Sequence, residues 1–222
     1  MGRFFAISDI HGCFDTFYEL LIRRIDLSRT DRLILLGDYI DRGEKSKEVV
    51  DLILDLKEKG FDITTLSGNH EAMLVESYQN PEMLPLWYMN SGMTTLQSFG
   101  IHDIADIDKK YIDFFKNLKY YELSGDFIFV HAGFNDFAKD PFSDLHGMIW
   151  ECKMQYDNPV LTGKTIIHGH RPKTIDYVKR MITENSKVIP IDTGCIYEKE
   201  LGYGNLSALD INSMNLISVV NY

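Results

Sequence analysis

The sequence predicts an α/β fold: two stacked mixed β-sheets flanked by helices, with a helical insertion in the middle of the chain. Three observations lead there. Strand-length apolar runs alternate with helix-period stretches through the first third, residues 72–119 read as helical, and the back half returns to short apolar runs. Alternation of the first kind implies parallel strand pairs with helices packed outside them.

Taken in order, residues 3–8 form an apolar run of strand length. Over 14–25, Phe14, Phe17, Tyr18, Leu21, Ile22 and Ile25 recur at helical spacing. A second buried-strand run spans 33–36, and 45–59 carries Val49, Val50, Ile53, Leu54 and Leu56 as a helical stripe with charges opposite. Residues 61–66 are a third strand. From 71 to 119 the pattern is helical, with apolar recurrence over 81–99 and 111–118 and a loop expected at 100–108. Five further strands are expected at 127–130, 165–167, 187–191, 206–210 and 216–220.

The chain has 222 residues, enough for a single domain over 1–222 with a helical cap at about 72–119. Its 33 acidic and 23 basic residues leave a formal net charge of -10. That excludes a broad basic surface for a nucleic-acid duplex. Three cysteines at irregular spacing (Cys13, Cys152, Cys195) form neither a disulfide framework nor a zinc motif, which points to a reduced setting. The opening apolar run is too short for a signal peptide, and no run approaches a membrane span. The expected address is cytoplasmic, with no membrane partner.

Five apolar runs end in residue types that ligate metals. The run at 4–8 leads into Asp9-Ile10-His11, and 33–36 into Gly37-Asp38-Tyr39-Ile40-Asp41-Arg42-Gly43. Residues 63–67 lead into Gly68-Asn69-His70-Glu71, 127–130 into His131-Ala132-Gly133, and 165–167 into His168-Gly169-His170. Functional groups in α/β sheets gather beyond the carboxyl ends of strands, so five such ends can converge. In extended chain, residues i and i+2 share a side, which lets Asp9 and His11 grip one ion together. Asn69 and His70 are neighbours and diverge, which suits two different tasks. Carboxylate, imidazole and amide donors without thiolate suit manganese, iron, zinc or nickel. Each motif alone is weak; their order and spacing together are not.

In that order the motifs resemble the calcineurin-like metallophosphoesterases, and within them the bacterial and phage form of the phosphoprotein phosphatase branch. Softer matches are Trp87-x-x-Asn90-Ser91-Gly92 and Ile191-Asp192-Thr193-Gly194-Cys195. The resemblance implies a metal-dependent phosphoester hydrolase, acting as a serine/threonine or dual-specificity protein phosphatase. Asp9, His11 and Asp38 would hold a first divalent ion, and Asp38 would bridge to a second completed by Asn69, His131 and His170. Two such ions, manganese by first choice, would share a hydroxide nucleophile and clamp the phosphate. Arg42 would bind phosphate oxygens, His70 would protonate the leaving oxygen, and Asp41 would orient His70 and keep it protonated. His168 would face the site or serve as a structural histidine.

Two arginines usual in that branch are missing: Ser67 stands immediately before Gly68, and Cys152 two residues after Trp150. Lys153 and Arg171 are the candidates to bind phosphate in their place. The related diadenosine polyphosphate hydrolases tolerate a small residue before Gly-Asn-His. A dinucleoside polyphosphate is therefore the alternative to a phosphorylated protein as substrate, with Trp87 and Tyr88 either stacking on a base or serving as helical core. A non-catalytic metal-binding scaffold is a third reading, opposed by the intact ligand positions. Thr162-Gly163-Lys164-Thr165 ends like a phosphate-binding loop, but Asn158 stands where its first glycine belongs.

Overall fold

A computed structural model describes residues 2–222. Among these residues, nine strands form two sheets. The first has the order β3-β2-β1-β8-β9, built from β1 (Phe4–Ile7), β2 (Arg32–Leu35), β3 (Asp62–Thr65), β8 (Asn205–Asp210) and β9 (Asn215–Val220). The second has the order β4-β5-β6-β7, built from β4 (Tyr121–Ser124), β5 (Phe127–Val130), β6 (Thr165–His168) and β7 (Val188–Pro190). Both are mixed. The β1/β2, β2/β3, β5/β6 and β6/β7 pairs are parallel, while β1/β8, β8/β9 and β4/β5 are antiparallel.

Strand alternation sorts the core into layers. Phe5, Ile7, Leu33 and Leu35 face a cluster shared with the helices, whereas Ala6, Ile34 and Leu36 meet Phe129, Ile167 and Ile189 of the second sheet. That second cluster is the seam between the stacked sheets. Ile128, Val130 and Ile166 point the other way, onto Phe134, Met148 and Leu161.

Helices cover the first sheet. α1 (Phe14–Tyr18) runs into a wider π-helical turn at Glu19–Arg24, so the expected helix over 14–25 forms with a change of pitch. α2 (Ser46–Glu58) buries Val49, Val50, Ile53 and Leu56, the stripe read from the sequence. Between β3 and β4 the chain makes α3 (Asn69–Gln79), α4 (Leu84–Met89), α5 (Gly92–Phe99) and α6 (Lys109–Lys116). Met73, Trp87, Leu96 and Phe115 from these helices enter the same cluster as Phe5 and Leu33.

Three elements depart from the sequence reading. β4 is a strand of mixed polarity that the apolar pattern does not announce. α7 (Leu145–Trp150), capped by Asp144, and α8 (Ile175–Thr183), capped by Thr174, lie in the half expected to be strands and loops. For α8 the signal was present: a Thr cap, then Ile175, Val178 and Ile182 at helical spacing. No helix among the described residues is long and apolar enough to cross a membrane.

Candidate metal centre

The strand ends β1, β2, β5 and β6 and the start of α3 deliver the sequence-selected residues to one place. The backbone bends sharply to do so. Asp9, His11, Asp38, Asp41, Arg42 and His170 all have φ between 36° and 70°. Among the described residues, these are six of the ten non-glycine residues in the left-handed region, where such residues sit only when the surroundings hold them. Two glycines permit the close approach. A methyl on Gly68 would collide with the Asp38 carboxylate, and one on Gly169 with Asp9 and Ser8.

Asp38 is the hub. Its Oδ2 lies 3.4 Å from His11 Nε2 and 4.0 Å from His70 Nε2, and its Oδ1 lies 3.6 Å from His131 Nε2. Two groups of metal-ligating side chains therefore share it: His11, Asp38 and His70 in one, Asp38, His131 and His170 in the other. Asn69 joins the second, its Oδ1 lying 3.0 Å from His131 Nε2 and 3.1 Å from His170 Nδ1. Backbone carbonyls orient the rings. His11 Nδ1 faces the Ile40 carbonyl at 3.0 Å and His131 Nδ1 the Leu36 carbonyl at 2.9 Å. With those nitrogens donating, each Nε2 keeps its lone pair toward Asp38, the tautomer a metal requires.

Asp9 differs from the expected arrangement. Its carboxylate accepts the Ser8 hydroxyl and the His170 backbone N–H, the latter at 3.1 Å to both oxygens. It stands outside both groups, and His70 occupies the third place beside His11 and Asp38.

The electrostatics fit bound cations. Burial pushes the His11 imidazole down to about 3 and His170 down to about 3, so both rings are neutral at neutral pH, as a metal-ligating imidazole must be. Burial, with Asp38 adding to it, pushes the Asp9 carboxyl up to about 6 against the opposing charge of His131. Burial and the neighbouring Asp9 likewise raise buried Asp192 well above the carboxylate range. The Nε2 atoms of His70, His168 and His170 are buried without a hydrogen-bond partner. Crowded carboxylates and orphaned imidazole nitrogens are costly alone and are satisfied by divalent ions.

Around this hub stands a second ring of contacts. His70 Nδ1 lies 2.7 Å from Asp41 Oδ2, which also accepts the Trp87 indole N–H at 2.9 Å, while Thr95 donates its hydroxyl to Asp41 Oδ1 at 2.5 Å. Arg42 Nη1 donates to His11 Nε2 at 3.0 Å and to the Tyr197 hydroxyl at 2.9 Å. His168 is buried, with Nδ1 3.0 Å from the Gly169 carbonyl oxygen and 3.9 Å from Cys152 Sγ. Ser67 donates to the Gly68 carbonyl and supplies no charge.

Of the two basic candidates, Lys153 is tied elsewhere, 3.7 Å from Asp136 Oδ2 and 4.6 Å over the Phe137 ring. Arg171 is exposed, beside His170. Trp87 is not available to stack on a base: it is fully buried, with its N–H committed to Asp41. Sequence reading assigned no role to Glu71, whose carboxylate accepts the backbone N–H of Asp38, Tyr39 and Gly68 at 2.8, 2.7 and 3.0 Å. Its spacing three residues after Gly68 was the available signal, since a glutamate there closes a helix start. Thr95 and Tyr197 had none, because they reach the site only through tertiary folding.

Two stacked mixed sheets whose strand ends bring aspartates, histidines and an asparagine around one carboxylate define a metallophosphoesterase. The chain belongs to the calcineurin-like phosphoesterase family, whose profile matches residues 2–194. It is 27% identical over 219 residues to an asymmetrical bis(5'-nucleosyl)-tetraphosphatase of Bacillus velezensis, covering 88% of this chain and 85% of that one. It is also 27% identical over 213 residues to serine/threonine-protein phosphatase 2 of Salmonella typhimurium, covering 89% and 90%. In fold it resembles a protein serine/threonine phosphatase from Saccharomyces cerevisiae, with a TM-score of 0.68 at 15% identity over 99% of this chain and 79% of that one.

Proposed function

We propose that this metallophosphoesterase is a serine/threonine or dual-specificity protein phosphatase, acting as one domain with two divalent ions, manganese by preference. The ions would be held by Asp9, His11, Asp38, Asn69, His131 and His170. One observation carries the reading: Asp38 stands between two groups of imidazoles, and with each it forms a set that could hold a cation. Divalent ions supply charge stabilisation for phosphoryl transfer and lower the pKa of water at neutral pH.

The chain's own residues do the rest. Asp41 holds His70 through Nδ1, leaving Nε2 buried and unpartnered on the Asp38 side. Burial alone would lower the His70 pKa, but Asp38 and Asp41 outweigh it and raise the imidazolium above its usual range. A proton kept at Nε2 is the one a leaving oxygen needs. Arg42 now donates to the His11 lone pair that a cation would take. Once displaced, its planar fork is free for two phosphate oxygens. Arg171, exposed next to His170, is the second basic group in this reading; the Asp136 contact of Lys153 argues against it.

The test is His70→Asn. Loss of about 10²–10⁴-fold on alkyl phosphates such as phosphoserine peptides, with much less on aryl phosphates, supports the acid role. Equal losses on both remove His70 from it and favour a ligand role beside His11. Dinucleoside polyphosphate hydrolysis is the second reading, favoured by the similarity to the Bacillus velezensis enzyme and by Ser67. The burial of Trp87 removes one of the two aromatic residues offered to a base and leaves only half-buried Tyr88.

A further inference from the structure

A groove leaves the metal centre along α3 and ends at the edge of the second sheet. Near the centre it is walled by Asn69, Met73, Leu86, Ile149 and Trp150 and encloses about 410 Å³. Tyr120 and Leu145 line both this hollow and the next, of about 530 Å³, which continues over Tyr121 and Leu123 of β4. Leu86, Leu123 and Leu145 are 39%, 53% and 48% exposed, so the groove offers a contiguous apolar surface.

β4 is the outermost strand of its sheet and pairs with β5 alone. Just before it begins, Lys119 bonds through its N–H to Thr65 and through its carbonyl to Ser67. Beyond that point, from Glu122 to Ser124, the outer edge has no main-chain partner among the described residues.

We propose that the groove and the free β4 edge dock an extended polypeptide segment flanking the phosphorylated residue. This rests on the phosphatase reading of the same centre, and it identifies the substrate as protein. An unpaired row of N–H and C=O groups matches another peptide backbone, and a nucleotide has nothing of that periodicity. Side chains alternating along the added strand reach the hollows at Leu145 and Leu123. Charge points the same way. Among the described residues, Lys119 is the one lysine or arginine lining either hollow, and Glu122 holds it at 2.9 Å. Glu122 is itself tied to Arg32 at 2.7 Å, so a polyphosphate chain laid in the groove finds no free lysine or arginine there and meets Glu76.

The experiment uses the metal-loaded protein and a phosphonate analogue of a phosphopeptide with apolar flanks, read as Kd by calorimetry. Methylating alternate backbone amides of that peptide is expected to weaken binding about tenfold, with the protein unaltered. Leu123→Asp and Leu145→Asp are expected to weaken it as well, leaving the KM for p-nitrophenyl phosphate unchanged. Equal binding of plain and methylated peptides overturns the proposal, as does failure of the peptide to bind while diadenosine tetraphosphate is hydrolysed. Absence of any p-nitrophenyl phosphate hydrolysis defeats the phosphatase reading separately, because the calorimetric arm does not depend on turnover.

Discussion

Asp41 receives the His70 imidazole at 2.7 Å, on the carboxylate oxygen that Trp87 also reaches. All three side chains are buried, so this short chain of hydrogen bonds sets the protonation of a histidine that faces Asp38. The His70 pKa is raised, and the protonated form is lost as pH climbs through that value. Turnover of alkyl phosphates should therefore fall on the alkaline side. A hydrogen bond to a charged group contributes about 1.5–3 kcal/mol. Asp41→Asn is expected to move the alkaline limb of kcat/KM to lower pH by about 1–2 units. A pH–rate profile of the two proteins checks it, and a limb that stays in place removes Asp41 from this role.

Trp87→Phe should act in the opposite sense. Losing one donor leaves the Asp41 carboxylate more basic and a stronger partner for the His70 imidazolium. The alkaline limb is expected to move up by less than about one unit. The same substitution strips a hydrogen bond from a buried carboxylate and should cost about 1–3 kcal/mol of stability. Profiles and denaturation curves on one preparation read both effects.

Metal removal should destabilise the fold as well as abolish activity. Buried Asp9, Asp38 and Asp192 gather near the centre, with burial and mutual proximity raising Asp9 and Asp192. Ions that bind only the folded chain stabilise it by mass action, about 2.7 kcal/mol at a hundredfold excess over Kd. Melting curves with chelator, and with graded manganese, should show a midpoint that rises with free metal. A midpoint indifferent to metal would speak against a built site.

Away from the centre, Asp31 ties the start of β1 to the loop before β2. It is buried and accepts from Arg3 N, Nε and Nη2 at 2.9, 3.2 and 2.6 Å, and from Ser28 N at 2.9 Å. Burial pushes its pKa up, but these bonds overcome that and hold the carboxyl well below its usual range. A carboxylate lowered on folding stabilises the protein above its unfolded pKa, about 3.9, and that contribution fades as pH falls toward the folded value. Asp31→Asn should cost about 1–3 kcal/mol at pH 7. The difference from the parent protein should shrink below about pH 4. Urea denaturation at both pH values measures it.

Much of the candidate centre was legible because its metal-ligating residue types sit where apolar runs stop. Asp9, Asp38, His131 and His170 each stand shortly beyond a strand-length run, and the runs are β1, β2, β5 and β6. The first helices were legible for the same kind of reason, a buried stripe at helical spacing in α2. What escaped depends on contacts distant in sequence. Thr95 meets Asp41 only because α5 folds back on the turn after β2, and no local pattern encodes that. β4 escaped because its outward side lacks a partner and its residues are of mixed polarity, so no apolar run marks it. Whether Trp87 was core or a surface for a base could not be read locally, because its indole N–H partner lies 46 residues away.

The two-cation centre is tested most directly by anomalous diffraction from crystals of the protein loaded with manganese. Two peaks flanking Asp38 are expected, one against Asp9 and His11, the other against Asn69, His131 and His170, with His70 free of both. A single peak, or a peak ligated by His70 in place of Asp9, would contradict the assignment of ligands and acid made here.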